Sequence, residues 1–231
     1  LSVRPVTGHV WGYLAVAGGL ALAPVMGSLS THLRSGIGPI GALAKGDLLP
    51  CLPGTDAPPM CLPDVAPPPR LLRFVPGPQA EAFSDAGFAA LCTGPYEVST
   101  QSDRMGYRLT GPRIAHARGH DIVSDGIAMG AIQVPGDGQP IVLMADRQPT
   151  GGYPKIGTVI RADLPALAQC RPGTKVHFAP VTVEEAVAAL RAALAGLEVV
   201  PQPFSLGLDM EKLASGNHAS GFLDAQRGEG P

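Results

Sequence analysis

Glycine and proline divide this chain into short segments, and this division limits the folds that the chain can adopt. The 231 residues include 30 Gly and 25 Pro, about a quarter of the chain, and this share is high for a helical protein. Turn residues recur about every eight to twelve positions, a spacing that is typical of short strands joined by tight turns. The pattern predicts a mostly β fold with a few helices at its edges, either a barrel or a sandwich. Because only 5% of the residues are aromatic, the core is expected to consist of Val, Leu, Ile and Ala.

The clearest helix signal lies at residues 183–197. Thr182 precedes this segment as an N-cap, Glu184 and Glu185 occupy its first turn, and an Ala/Leu stripe follows. Apolar spacing also predicts an amphipathic helix at 79–91 and a short helix at 164–169. Short apolar runs bounded by turn residues predict strands at 10–17, 48–52, 70–75, 96–100, 106–110, 130–134, 140–145, 158–160 and 175–179.

A proline-rich stretch at residues 53–69 has little hydrophobic pattern and is predicted to be a linker. The composition changes after it, so a domain boundary is expected near residue 70. Residues 70–200 are then one domain, and the polar, Gly-rich residues 201–231 are predicted to be a disordered tail. The apolar run near the start is interrupted by Gly18, Gly19 and Pro24, and is predicted to be neither a signal peptide nor a membrane span.

Charge and cysteine usage exclude several classes of protein. Charged residues make up 16% of the chain and the net charge is −2, so no nucleic-acid partner and no membrane partner are predicted. No C-x-x-C pair occurs among the four cysteines, which argues against a zinc site. They are predicted to be free thiols of a cytoplasmic protein, with a loop disulfide between Cys51 and Cys61 as the alternative. His116 and His120 are four residues apart, but Pro, Gly and Arg surround them rather than helix formers, so no metal site is predicted.

Polar residues are densest between residues 130 and 155, around a short apolar strand at 140–145 and a Gly151-Gly152 turn. Each polar residue alone has a plain structural explanation: Asp146 and Arg147 can pair, and glutamines can cap loops. So many planar hydrogen-bonding groups together favour a binding site at the end of a buried strand. The candidate residues are Gln133, Gln139, Asp146, Arg147, Gln148, Thr150, Tyr153 and Lys155.

A second candidate cluster is Ser102-Asp103-Arg104, in the connection between two predicted strands. The guanidinium fork of Arg104 suits a carboxylate or a phosphate. The alternative is a hairpin corner in which Asp103 caps backbone amides. Weaker candidates are the turn Gly77-Pro78-Gln79 and a polar face after Gly27 that consists of Ser28, Thr31, His32 and Arg34. The chain contains no phosphate-binding loop motif and no dinucleotide fingerprint.

Several of these blocks resemble the KipA-type family, which comprises the C subunits of 5-oxoprolinase and is also called allophanate hydrolase subunit 2 or biotin-dependent carboxyltransferase. The Ser-Asp-Arg-Met-Gly and Thr-Gly-Gly-Tyr-Pro blocks are the most specific, and the resemblance covers roughly residues 10 to 180. It is carried by Tyr13-Leu-Ala-Val-Ala-Gly-Gly, Gly27-Ser28 to Gly36, Pro76-Gly-Pro-Gln, Gln101-Ser-Asp-Arg-Met-Gly-Tyr-Arg-Leu, Gly130-Ala-Ile-Gln-Val-Pro, Gly138-Gln-Pro, Ala145-Asp-Arg-Gln and Thr150-Gly-Gly-Tyr-Pro-Lys.

The resemblance implies two cyclophilin-like β-barrel domains in tandem, of which the first is expected to be incomplete in this chain. Residues 1–69 would then be the C-terminal part of the first domain plus the linker, and residues 70–200 the second domain. It also implies two partners, a KipI-type protein and a LamB/YcsF-type protein, and an ATP-dependent opening of 5-oxoproline to glutamate in their complex. The ATP site is not locatable in this chain.

Three functions follow from the resemblance. In an amide (lactam) hydrolase component that is active only in complex, Arg104 or Arg147 would hold the substrate carboxylate. Asp103 or Asp146 would orient that arginine or move a proton, and Tyr153 and Gln133 would donate to the lactam oxygen. The remaining positions that would bind substrate are Ser102, Gln139, Gln148, Thr150 and Lys155. The alternatives are the carboxyltransferase component of a urea carboxylase, which needs a biotin carrier, and a non-catalytic KipI-binding regulator of a histidine kinase.

Overall fold

The structure is a computed structural model of the chain, and it describes residues 9–54, 60–61, 70–196 and 202–203. These residues contain a 3-10 turn at Ala80–Ala82 and three α-helices, α1 (Asp85–Thr93), α2 (Leu164–Ala168) and α3 (Val183–Ala195). The strands are β1 (Met60–Cys61), β2 (Leu71–Pro76), β3 (Tyr96–Val98), β4 (Gly106–Thr110), β5 (Asp125–Gly126), β6 (Ala131–Gln133), β7 (Ile141–Leu143), β8 (Thr150–Gly151), β9 (Lys155–Val159), β10 (Lys175–Pro180) and β11 (Gln202–Pro203).

Seven strands close into a barrel in the order β10-β2-β9-β6-β7-β4-β3, and β3 pairs with β10 to complete the ring. β10 and β2 run parallel, with His177 beside Leu71, and the other neighbouring pairs are antiparallel. Closure leaves none of these seven strands with an unpaired edge. The mostly β prediction is confirmed, and the barrel is the cyclophilin-like architecture that the resemblance implies.

The core fills the barrel and the space under α1. Alternating burial along β2 and β10 sends Phe74 and Phe178 inward. The Phe178 ring is edge-on to Phe74, at 6.2 Å between ring centroids, and to Tyr96, at 5.7 Å. Leu91 of α1 is fully buried in the same core. The expectation of a purely aliphatic core is therefore wrong, because several of the few aromatic residues are concentrated inside the barrel.

The strongest local patterns predict their elements within a few residues. The strands expected at 70–75, 106–110 and 175–179 and the helix at 164–169 are present. The helix expected from residue 183 begins there with a full capping box: the Glu185 N–H donates to Thr182 Oγ1 at 3.2 Å, and the Thr182 N–H donates to Glu185 Oε2 at 2.8 Å. Its predicted last residue lies outside the described part of the chain.

Three predicted elements differ from the structure. Residues 10–17 form no strand, because no partner strand among the described residues pairs with them. Residues 48–52 make only a single bridge, between Cys51 and Leu20. The helix expected at 79–91 is interrupted at Phe83, which is extended, and α1 starts after Ser84, whose Oγ accepts the Gly87 N–H at 3.0 Å.

The described residues 9–54 and 70–196 belong to one compact unit. Within it, Gln169 connects the first residues described to the barrel: its Oε1 accepts the Val10 and Trp11 N–H groups at 2.9 Å each. A second unit contains the described residues 60–61 and 202–203, which form the pairing of β1 with β11. Tandem domains and a boundary near residue 70 stay predictions, and most of the linker and tail lies outside the described residues. None of the helices in the described part of the chain is long and apolar enough to cross a membrane.

Candidate functional site

One cavity of about 350 Å³ collects many of the polar residues that the sequence singles out. It lies where β4, β6 and β7 meet the loops at 101–105 and 147–153, and we refer to it as the Arg147 cavity. It is lined by Arg34, Gln101, Asp103, Met105, Gly106, Arg108, Gln133, Ile141, Leu143, Arg147, Gln148 and Tyr153.

The charges that line the Arg147 cavity are mostly positive. Arg34, Arg108 and Arg147 face a single carboxylate, that of Asp103, which gives the lining a formal charge of +2. None of these three arginines forms an ion pair with another described residue. Arg147 is half-buried and Arg34 and Arg108 are exposed, and three guanidinium groups without a counter-ion among the described residues favour an anionic ligand.

Arg147 is held in place by backbone carbonyls rather than by a carboxylate. Its Nε donates to Ile127 O at 3.0 Å and its Nη1 donates to Met144 O at 3.3 Å. Its Nη2 makes no hydrogen bond within the described residues and so has donors to offer. The side chain is thus oriented before a ligand arrives, which lowers the entropy lost on binding.

Gln133 supplies a buried amide to the same cavity. The residue is only 6% exposed, and its Nε2 donates weakly to Tyr153 O at 3.4 Å. The amide fits because residue 151 is glycine: a Cβ there would lie 2.8 Å from Gln133 Nε2 and 2.7 Å from Ile127 Cδ1. The Tyr153 ring, partly exposed, lines the same cavity. Amide and phenol groups together can bind a planar carbonyl compound.

The cluster at residues 102–104 divides between two roles. Ser102 Oγ accepts the Arg108 N–H at 3.1 Å and donates to Arg108 O at 3.3 Å, so this residue closes a hairpin. Asp103 Oδ1 caps the N–H groups of Met105 and Gly106, at 2.8 and 3.2 Å. Its Oδ2 makes no hydrogen bond among the described residues, and the side chain lines the cavity, so Asp103 can also face a ligand.

Arg104 and Asp146 bind each other. Arg104 Nε and Nη2 donate to the two carboxylate oxygens of Asp146 at 2.8 and 2.9 Å, and the Asp146 N–H donates to Arg104 O at 2.8 Å. The hydrogen bonds from Arg104, together with its charge and that of His32, lower the pKa of Asp146, against the effect of burial. The Arg104 guanidinium also lies 5.7 Å from the centre of the Trp11 ring. Neither partner lines the cavity, so the pair joins two loops at its border.

Lys155 does not line the cavity. Its side chain is buried, and its Nζ donates to Asp125 Oδ2 at 2.7 Å and to Gly126 O at 3.2 Å. Gln79 completes this group, because its Nε2 donates to Asp125 Oδ2 at 3.1 Å. The sequence pattern groups Lys155 with Tyr153, but the ammonium group is occupied by protein oxygens.

Three further candidates have separate positions. Gln139 exchanges two hydrogen bonds with the backbone of Gly111, at 2.8 and 3.2 Å, and does not line the cavity. Thr150 is exposed in the short β5–β8 pair. Gln148 is exposed and does line the cavity. The structure therefore brings together Asp103, Gln133, Arg147, Gln148 and Tyr153 from the candidate set, and it does not bring in Gln139, Thr150, Lys155, Ser102, Arg104 or Asp146.

Sequence reasoning missed two polar residues of the cavity, Arg108 and Gln101, and gave little weight to a third, Arg34. Arg108 lies on β4, where strand alternation makes it exposed on the face opposite Leu109. Arg34 arrives from a loop more than 60 residues earlier in the chain, and its guanidinium contacts the Met105 sulfur. Gln101 lies next to the recognised Ser-Asp-Arg block. The period-two pattern of residues 106–110 is a usable signal for Arg108, whereas no local pattern places Arg34 at this site.

The cysteines and histidines of the described residues do not form a second cluster of polar side chains like the one that lines the Arg147 cavity. Cys51, Cys92 and Cys170 are free thiols, and burial raises the pKa of Cys92 and of Cys170. His116 Nε2 lies 3.0 Å from Val134 O. Within the described ranges no three His, Cys, Asp or Glu side chains lie close enough together to hold a metal ion.

Comparison with known proteins gives a family match over most of the chain. A family model described as carboxyltransferase domain, subdomain A and B, matches residues 1–180. The C subunit of 5-oxoprolinase from Escherichia coli (strain K12) is 44% identical over 184 residues, which cover 77% of this chain and 58% of that protein. The C subunit of 5-oxoprolinase from Haemophilus influenzae (strain ATCC 51907 / DSM 11121 / KW20 / Rd) is 40% identical over 181 residues, with the same two coverages. The chain therefore spans about 58% of the length of these curated relatives.

A solved structure supports the same architecture. The urea amidolyase of K. lactis superposes with a TM-score of 0.70 over 82% of this chain and 14% of that one. The sequence identity in this superposition is 21%, so the likeness shows the fold alone.

Proposed function

This chain belongs to the carboxyltransferase domain family, subdomain A and B, which includes the C subunits of 5-oxoprolinase, and from this premise we propose that it is the C subunit of an ATP-dependent 5-oxoprolinase. In this proposal it acts with two partners, a KipI-type B subunit and a LamB/YcsF-type A subunit, in the cytoplasm, to hydrolyse 5-oxoproline to glutamate. The identity of 44% to one such C subunit supports the family-level part of the proposal.

The observation that carries the proposal is the chemistry of the Arg147 cavity. 5-Oxoproline has one carboxylate and one lactam amide. Three arginines without an ion-pair partner among the described residues suit the carboxylate. Gln101, Gln133 and Gln148 each offer both a donor and an acceptor, which an amide needs for its oxygen and its N–H. The cavity volume of about 350 Å³ is in the range of small-molecule sites.

Roles for single residues follow from their partners. Arg147 and Arg108 would hold the substrate carboxylate, because each has guanidinium nitrogens free of protein acceptors in the described part of the chain. Gln133 and Tyr153 would donate to the lactam oxygen, where negative charge develops when the amide is attacked. Asp103 Oδ2, unoccupied by described residues, would accept a proton from the attacking water. ATP is a co-substrate of the complex, and we assign none of the described residues to it, because the sequence has no phosphate-binding loop.

The test uses the full-length protein assembled with its two partner subunits, and measures ATP-dependent glutamate release from 5-oxoproline. Turnover should disappear when this protein is left out. Arg108→Gln is the sharpest variant, because its guanidinium has no hydrogen-bond partner in the described residues and its loss should leave the fold intact. Losing a charge-assisted hydrogen bond of about 1.5–3 kcal/mol should raise KM for 5-oxoproline about 10- to 100-fold.

Arg171→Gln is the matched control, because Arg171 is exposed and lies outside the cavity. Its KM should equal that of the wild type. An unchanged KM in both Arg108→Gln and Arg147→Gln would contradict the placement of the substrate carboxylate. No turnover by the wild-type assembly, with the complex to the KipI-type partner intact, would favour the non-catalytic regulator.

The family description favours carboxyl transfer as the second candidate function. A positively charged cavity would also suit the carboxylate of a carboxylated biotin. The discriminating assay supplies a biotin carrier, a biotin carboxylase, bicarbonate, ATP and urea, and measures carboxylated urea. If carboxylated urea forms only when this chain is present, and no glutamate is released from 5-oxoproline, carboxyl transfer would be favoured over the hydrolase proposal.

A further inference from the structure

A short two-stranded ribbon forms one wall of the Arg147 cavity. It consists of residues 122–127 and 147–153, which we call the cavity ribbon. The Ile122 N–H donates to Gly152 O at 2.8 Å, β5 pairs with β8, and the Ile127 N–H donates to Pro149 O at 2.9 Å. The ribbon carries three side chains into the cavity: Arg147, Gln148 and Tyr153.

The cavity ribbon needs an anchor on the barrel. Its paired strands β5 and β8 are two residues long and form a sheet separate from the closed barrel. A pair of this length is marginal in water by itself. Free movement of the ribbon would spread Arg147 and Tyr153 over many positions, and catalysis is sensitive to displacements of about 1 Å.

Lys155 supplies this anchor from the first position of β9. The residue is 3% exposed, and its Nζ donates to both the carboxylate of Asp125 and the carbonyl of Gly126, at 2.7 and 3.2 Å. Two of its three donors therefore bind consecutive residues of the ribbon. A buried ammonium group with these partners is fixed in position, and Lys155 does not line the cavity.

Gln79 connects the same carboxylate to a third element. Its Nε2 donates to Asp125 Oδ2 at 3.1 Å, and its Oε1 accepts the Lys155 N–H at 3.2 Å. The turn that precedes Gln79 packs closely against β9: a Cβ on Gly77 would lie only 2.5 Å from Lys155 O. The Lys155 hydrogen bond first, then those from the Gly126 N–H and Gln79, lower the pKa of Asp125, which favours the ionised carboxylate that this arrangement requires.

We propose that Lys155, Asp125 and Gln79 are positioning residues, which fix the cavity ribbon on the barrel and thereby place Arg147 and Tyr153 for substrate. This inference rests on the proposed function, and it replaces the substrate-binding role expected for Lys155 from the sequence. The three residues act through the ribbon and do not touch the substrate.

The experiment compares Lys155→Met and Asp125→Asn with the wild type in the full-length protein assembled with its partners. Hydrogen–deuterium exchange reports the ribbon amides, and steady-state kinetics reports KM and kcat for 5-oxoproline. We expect exchange at residues 122–127 and 150–153 to become about tenfold faster or more, and KM to rise about tenfold. The double variant should lose no more than Lys155→Met alone, because the two residues act as one unit.

Arg73→Met is the matched control. It breaks a comparable ion pair, Arg73 to Asp163 at 2.6 Å, whose residues do not line the cavity. It should lower the melting temperature and leave both ribbon exchange and KM unchanged. A KM change in this control as large as in Lys155→Met would overturn the inference, because general destabilisation would then explain both.

The inference would also be overturned if the ribbon amides of Lys155→Met and Asp125→Asn exchanged at the same rate as those of the wild type. Asp125→Asn keeps the inference testable if Lys155→Met does not fold, because Asp125 is about half exposed. If the wild-type assembly shows no turnover of 5-oxoproline, the proposed function fails, and the exchange measurement decides by itself whether Lys155 holds the ribbon.

Discussion

Asp146→Asn removes the carboxylate that joins the two loops at the border of the Arg147 cavity. The substitution keeps the shape of the side chain and abolishes one ionic partner of Arg104. Charge-assisted hydrogen bonds contribute about 1.5–3 kcal/mol in protected sites, whereas exposed pairs contribute about 0–1 kcal/mol. The Arg104 side chain is 47% exposed and that of Asp146 is 20% exposed, so the pair lies between these limits. We expect a loss of about 1–1.5 kcal/mol in the free energy of unfolding at pH 7.

The pH dependence of this loss has a definite sign. The pKa of Asp146 in the folded protein is lowered by Arg104, relative to about 3.9 in an unfolded chain. The stabilisation is therefore fully present above about pH 4 and is lost as the pH falls through the lowered pKa. Urea denaturation followed by circular dichroism at a series of pH values from neutral down to about pH 3 should show the stability gap between wild type and Asp146→Asn becoming smaller toward the acidic end.

Asp121→Asn provides the control for loss of one negative charge, because the Asp121 side chain is 72% exposed and its partner is the exposed His120. Asp121→Asn should lower the free energy of unfolding by less than about 0.5 kcal/mol. A gap between wild type and Asp146→Asn that persists unchanged at the acidic end would refute the assignment to the carboxylate. Complete loss of turnover with unchanged stability would instead make Asp146 a proton carrier.

Two further substitutions test local packing. Gly151→Ala places a methyl group 2.7 Å from Ile127 Cδ1 and 2.8 Å from Gln133 Nε2. It should lower the free energy of unfolding, measured by urea denaturation, by about 1–3 kcal/mol, and raise KM because Gln133 is displaced. An unchanged KM would show that Gln133 does not contact substrate. Thr182→Ala removes half of the capping box with Glu185 and should cost about 1 kcal/mol with no change in kcat or KM; a kinetic effect would contradict the placement of α3 away from the site.

The elements that could be predicted from the sequence are those whose patterns are local. Short apolar runs bounded by turn residues mark β2 and β10, and a capping box marks the start of α3, because each signal depends on residues a few positions apart. Local patterns leave a barrel and a sandwich open, and only the family resemblance implies a barrel, since closure depends on the parallel pairing of Leu71 with His177 across more than a hundred residues. The failed strand at 10–17 illustrates the same limit: an apolar run becomes a strand only where a partner is available.

At the candidate site, residue type alone does not show which arginine can bind a substrate carboxylate. The sequence offers Arg104 and Arg147 as equal candidates for binding a substrate carboxylate, since both lie near an aspartate. Their partners separate them: Arg104 is bound by both oxygens of Asp146, whereas Arg147 is held by backbone carbonyls and keeps its charge uncompensated among the described residues. A carboxylate that already binds an arginine compensates its charge and repels a second anion, so the free energy of ligand binding at Arg104 is reduced by Asp146. Arg108, which sequence reasoning passed over, has no such cost. The arginines that can bind an anion here are therefore those that the fold places away from any carboxylate partner. This placement is a property of the tertiary structure, and the residue types do not reveal it.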